Sequence, residues 1–90
     1  MGSNYVQAVL DRLNEASPGL DPDLAQLYAL LAMTKGLDTT LEDVHDAWAI
    51  YRNITNPQHR SLIPFAELTT EVQELDREYM DAIHKAALDG

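Results

Sequence analysis

The stretch DPDLAQLYALLAMTKG, residues 21–36, decides how this chain folds. Asp21 followed by Pro22 reads as a helix start. The carboxylate accepts a free amide of the first turn, and proline at the first helical position lacks only an N–H that would have no partner there. Gly36 supplies the stop, because many helices end on a left-handed residue and glycine enters that region without strain. Between these signals Leu24, Leu27, Tyr28, Leu30, Leu31 and Met33 cover more than one face. A surface helix needs only one apolar stripe, so this helix is expected at the centre of a bundle, packed from two sides.

Upstream, Val6, Val9, Leu10 and Leu13 recur at helical spacing and predict a first helix over residues 4–16, closed by Ser17-Pro18-Gly19. Downstream, Thr39-Thr40-Leu41-Glu42 reads as a capping box with Thr39 as the cap and Glu42 reaching back to it. The third helix turns Leu41, Val44, His45, Trp48 and Tyr51 inward and frays near Asn53, since Asn56-Pro57 biases the chain toward an extended turn. Residues 54–64 are expected as a loop. Pro64-Phe65-Ala66-Glu67-Leu68 then forms a short helical turn whose Phe65 and Leu68 plug the bundle, and Thr69 or Thr70 caps the last helix. That helix carries Val72, Leu75, Tyr79, Ala82, Ile83 and Ala86 on one side, with Glu71, Glu74, Glu78 and Asp81 on another. No segment alternates with the period of a strand, and no internal repeat occurs. The expected fold is all-α: a small four-helix bundle in one domain over residues 4–90, with a Pro-containing loop before the last helix. Met1-Gly2-Ser3 reads as a cloning remnant.

A chain of 90 residues buries only about 60–65% of the surface its unfolded form exposes, so the core is small. Fifteen acidic against six basic residues give a formal charge of −9, which repels a phosphate backbone and argues against binding DNA or RNA. With no cysteine there is no disulfide, thiolate metal site or cysteine nucleophile, and a reducing cytoplasm is the expected compartment. No apolar run approaches the roughly 18 residues of a membrane span. Asn53-Ile54-Thr55 matches a glycosylation sequon, but no secretion signal accompanies it.

A catalytic site needs a nucleophile beside a base, two carboxylates in unlike environments, or a metal cage. None is legible. His45, His59 and His84 are too far apart in sequence for the usual zinc spacing. Gly2, Gly19, Gly36 and Gly90 are isolated, so no glycine-rich phosphate loop is offered. No catalysis, metal or cofactor is expected.

The informative segment is residues 44–79. His45-Asp46-Ala47-Trp48-Ala49, then Leu62-Ile63-Pro64-Phe65-Ala66-Glu67-Leu68, then Leu75-Asp76-Arg77 occur in the order and kind of three motifs of the ryanodine-receptor repeat. The segment 41–88 resembles that small helical domain, and the chain is similar to short acidic proteins of actinobacteria and their phages. The resemblance implies a nucleotide-type ligand, with Trp48 as stacking plate and Arg52 as phosphate partner, and a homodimer in which two copies face each other. It also implies structural roles for Pro64, Phe65, Leu68, Asp76 and Arg77. A phage origin would place the protein in a host cytoplasm.

Helix geometry supports part of this without the family. His45 and Trp48 share a face at i, i+3, Arg52 follows Trp48 at i+4, and an aromatic plate beside a guanidinium can stack a base and hold a phosphate. Tyr51 adjoins them in sequence and completes the candidate ligand-binding set of Trp48, Arg52, His45 and Tyr51. Each also has a structural reading. A single Trp in an apolar stripe serves as a core residue, His45 bonds the loop that holds Pro64, and Asp76 with Arg77 fixes the last helix against that loop. Two functions follow: a non-catalytic binder of a nucleotide-type signal at a Trp/Arg pocket, or a module that binds a host protein through its acidic last helix or its exposed apolar residues.

Overall fold

Helix ends in this protein fall where side chains can satisfy the free backbone groups. The computed structural model describes residues 4–88, so the remnant read at Met1–Ser3 lies outside the described residues. The helices are α1 (Tyr5–Ala16), α2 (Pro22–Thr34), α3 (Leu41–Thr55), α4 (Thr70–Glu74) and α5 (Arg77–Leu88), with 3-10 turns at Gly36–Asp38 and Phe65–Glu67. Among the described residues there is no strand. The architecture is a small all-α bundle.

Asn4 and Asp21 cap α1 and α2 by accepting the amides of Gln7 and Asp23. At the far end of α2 the backbone of Gly36 has φ +56°, the left-handed stop read from the sequence. The cap of α3 differs from expectation by one residue. Thr40 accepts from the Asp43 amide, and the Asp43 carboxylate accepts from the Thr40 amide at 2.9 Å. Thr39 is instead buried in the turn, where its hydroxyl donates to the Gly36 carbonyl at 2.8 Å and its own carbonyl accepts from His84 Nε2 at 2.8 Å. A tertiary contact therefore decides between two adjacent threonines.

The core gathers Val9 and Leu13 of α1, Leu24, Ala25, Tyr28, Ala29 and Ala32 of α2, Val44 and Ala47 of α3, and Ala82, Ile83 and Ala86 of α5. Leu13, Tyr28, Val44 and Ile83 are its largest fully buried side chains, and burying an aliphatic side chain of that size contributes about 1.5–3 kcal/mol. As expected, α2 is central, touching α1, α3 and α5. Leu30 and Met33, however, point to solvent, as does Val6 at the start of α1. Part of the surplus apolar surface on α2 is thus outward-facing and not a second packing face.

The last helix is not continuous. Leu75 donates to the Val72 carbonyl at 3.1 Å in a tighter turn, and the Asp76 carbonyl then opens α5 by accepting from Tyr79 and Met80. No proline or glycine marks this break. It swings Leu75 to 68% exposure, where the sequence pattern had placed it on the buried stripe.

Candidate functional site

Between α2, α3, the α3–α4 loop and the α4–α5 break lies a cleft of about 510 Å³. Its aromatic wall is Trp48, Tyr28 and Tyr79, its polar groups include Arg52, His45, His59, Asp76 and Glu78, and the half-buried Val72 adds apolar surface. The geometry begins with α3. Residues three and four apart share a helix face, so His45, Trp48 and Arg52 form a column along the side that meets the cleft. The His45 and Trp48 rings are stacked with centroids 5.6 Å apart. His59 meets the indole edge-on at 5.2 Å, and the Arg52 guanidinium carbon lies 5.9 Å from its centroid. Trp48 is half-buried, a cleft wall already held by three side chains of its own domain.

His45 is 3% exposed and donates from Nε2 to the Ile63 carbonyl at 2.8 Å. It pins the loop just before Pro64 to α3, the structural role expected of it, while its ring still lines the cleft. The His59 Nδ1 accepts from the Ser61 amide at 3.1 Å, a bond within the loop, while its ring packs on Trp48 of α3. Phe65 packs against His45 with centroids 6.2 Å apart, and Leu68 is buried beneath the turn. Pro64 is exposed and precedes the turn.

Tyr51 is not part of the cleft. It faces the groove between α2 and α3, with the Arg52 guanidinium 5.3 Å from its ring. Desolvation and the Asp21 carboxylate push its phenol up. Nor do Asp76 and Arg77 hold the loop. That task falls to Gln73, whose amide donates to the carbonyls of Phe65 and Leu68 at 3.0 and 3.3 Å. Arg77 makes a two-pronged pair with Glu74 on the exposed surface, at 2.6 and 3.2 Å. Asp76 turns instead to the cleft, half-buried, where desolvation pushes its carboxyl above the ordinary aspartate range and the nearby His45 opposes the rise.

No spacing in the sequence signals the surroundings of the Tyr28 hydroxyl. The residue is 1% exposed, and its hydroxyl has no hydrogen-bond partner; the other such buried side-chain atom among the described residues is Nε of Arg52. Both residues line the same cleft. Buried polar groups are normally paired, and these two unpaired atoms belong to residues of one cavity. Desolvation, Asp76 and Tyr79 push the Tyr28 phenol up, which keeps it a neutral donor. Among the described residues no three His, Cys, Asp or Glu side chains gather into a metal-binding cluster. No helix among them is long and apolar enough to cross a membrane.

The profile of the domain of unknown function DUF7701 matches residues 4–88. The chain belongs to this family. No curated protein and no solved structure matches it. The resemblance to the ryanodine-receptor repeat is corrected by this match, which also takes in the first helices that the three motifs left out. The motif residues have ordinary work in the DUF7701 domain. A histidine tying a loop carbonyl, a proline before a turn, and a Phe and Leu beneath it are what any small bundle needs where a loop returns to its last helix. Short matches of that kind follow from packing and do not require common descent.

Proposed function

We propose that this DUF7701 domain is a non-catalytic binding protein whose cleft takes a small planar ligand of nucleotide type, with an anionic or carbonyl acceptor directed at Tyr28 and Arg52. One observation carries the reading: Tyr28 Oη and Arg52 Nε are buried and unpaired, and both residues line the same cavity. The volume supports it, because ligand sites typically run to about 300–1,000 Å³. The lining supports it too, since a few polar groups set among aromatic walls fix orientation while the walls supply affinity.

The ligand would not stack on a bare indole. Trp48 is engaged by His45, His59 and Arg52, so a planar ring enters beside Tyr28 and Tyr79 and moves the Arg52 guanidinium toward its acceptor. Asp76 and Glu78 outnumber the one permanent cation of the cleft, Arg52, which favours a ligand that also carries N–H donors over a simple anion. A nucleobase supplies such donors. One chain contains the whole lining, so the reading does not depend on a homodimer.

The test is a thermal-shift panel of purine and pyrimidine mononucleotides and cyclic dinucleotides, read beside the emission of Trp48, the single tryptophan. At least one ligand is expected to raise the melting temperature and change the emission, with both effects lost in Arg52→Gln. A flat panel, or a response that Arg52→Gln leaves intact, refutes the reading.

A further inference from the structure

On the side of α3 away from the cleft lies a surface that neither the core nor the proposed ligand uses. Ile50 is 59% exposed and Ile54 is 78% exposed. They stand one turn apart and form a ridge along the helix. A groove runs on each side of that ridge. One is bounded by Asp46, Ala49, Asn53, Leu62, Ile63 and Pro64, and the other by Asp23, Gln26 and Leu27 of α2 with Tyr51 and Thr55 of α3. Leu30, also exposed, continues the α2 wall one turn beyond Leu27.

The charge of this face has one sign. The two grooves are lined by Asp46 and Asp23 and by no Lys or Arg. None of the six basic residues lines either groove, although Arg60 is exposed in the loop before Leu62 and Lys85 is exposed on α5. Arg12 donates to the Ala86 carbonyl, Lys35 pairs with Asp43, Arg77 pairs with Glu74, and Arg52 reaches only the Thr55 hydroxyl at the groove's edge, with its guanidinium against Trp48 and Tyr51. A second copy of this chain would bring another nine negative charges against the same carboxylates.

We infer that the Ile50–Ile54 ridge and its two grooves form a docking surface for a basic amphipathic helix of a partner protein. A helix laid in such grooves places apolar anchors at i, i+3, i+4 and i+7 against Ile50, Ile54, Leu30 and Ile63, and its Lys or Arg residues meet Asp23 and Asp46 at the rim. The inference stands apart from the cleft: the first groove and the cleft share only His45, and none of the anchor or rim residues named above lines the cleft.

The test uses a fluorescein-labelled synthetic helix of leucines at i, i+3, i+4 and i+7 with lysines between, and a counterpart with glutamates in place of the lysines. Anisotropy should show the lysine peptide binding and the glutamate peptide not binding. Amide shifts in the protein should change around Ile50, Ile54 and Ile63. Ile50→Ser with Ile54→Ser leaves the net charge unchanged and removes only exposed side chains, so the fold, checked by its melting curve, is expected to persist while affinity falls about tenfold or more. Asp23→Asn with Asp46→Asn should weaken binding similarly. If the serine variant binds as well as the parent, or the shifts map to the acidic side of α5, the attraction is a general one to an acidic protein and the inference is overturned. It is also overturned if the parent sediments as a dimer that the serine variant makes monomeric, since the occupant is then a second copy.

Discussion

Replacing Tyr28 by Phe deletes one oxygen and keeps the ring in place. That ring is 1% exposed and lies 5.8 Å from Tyr79, and its hydroxyl has no partner. An unpaired buried hydroxyl costs about 1–3 kcal/mol relative to a solvated one, and the phenylalanine retains the apolar contacts that hold α2 at the centre. Tyr28→Phe is therefore expected to raise the unfolding free energy by about 1 kcal/mol or more, which for a domain of this size corresponds to about 4–8 °C in Tm. Urea unfolding followed by far-ultraviolet circular dichroism measures this, and an unchanged m value shows that the surface exposed on unfolding is the same. Because desolvation and the Asp76 charge push the phenol up, the hydroxyl stays neutral through the physiological range and the gain should not depend on pH there. In the ligand assay the same variant should bind more weakly. A loss of stability of about 1 kcal/mol or more would show that the hydroxyl is satisfied within the fold, and that the cleft is a gap in the packing with no donors to offer.

Gly36→Ala should cost about 1–2 kcal/mol, read from the urea midpoint, because φ at this position is +56°. The new methyl meets only the Ala87 side chain at 3.9 Å, so backbone strain and not crowding sets that cost. Thr40→Ala should lose about 1 kcal/mol through the missing cap, whereas Thr39→Ser, which keeps the hydroxyl bonded to Gly36, should lose less in the same melts. Trp48→Ala should destabilise by about 2 kcal/mol, below the roughly 3–5 kcal/mol of a fully buried aromatic, because the indole is half-buried. Asp76 carries a pH signature. Its folded carboxyl is raised, so its favourable contribution is complete below the ordinary aspartate range and is lost as pH climbs through the raised value. Asp76→Asn should therefore be more stable than the parent at neutral pH, with the difference vanishing in acid, as urea midpoints across pH will show.

Local chemistry made much of the bundle legible. Asp21-Pro22 and Gly36 bound α2 because each acts through its own backbone or the adjacent amides, and the Phe65–Glu67 turn with Leu68 beneath it follows from Pro64 and the apolar spacing. What was misread depends on contacts distant in sequence. Thr39 and Thr40 are equally good caps in isolation, and the His84 bond to the Thr39 carbonyl, 45 residues away, separates them. Tyr51 shares the inward stripe of α3 with Trp48 by spacing, but residues three apart on a helix still differ by about 60° of rotation, enough to face another groove. Tyr28 counts as core; that its oxygen lacks a partner depends on which groups the other helices place around it, which no spacing along α2 reveals.

The break between α4 and α5 connects these departures. A continuous helix would set Leu75 one turn before Tyr79 on the buried stripe. The observed break exposes Leu75, forgoing about 1.5–3 kcal/mol of burial, and leaves a half-buried Asp76 beside an unpaired Tyr28 hydroxyl and Arg52 Nε. These unfavourable features meet in one volume, while the starts of α1 to α4 are capped and the returning loop is bonded to α3 through His45. Random imperfection would scatter such costs over the bundle. Concentrated departures from otherwise consistent local rules are what a fold shows where it serves something other than its own stability, and a ligand with an acceptor for Tyr28 and Arg52 would remove two of them on binding.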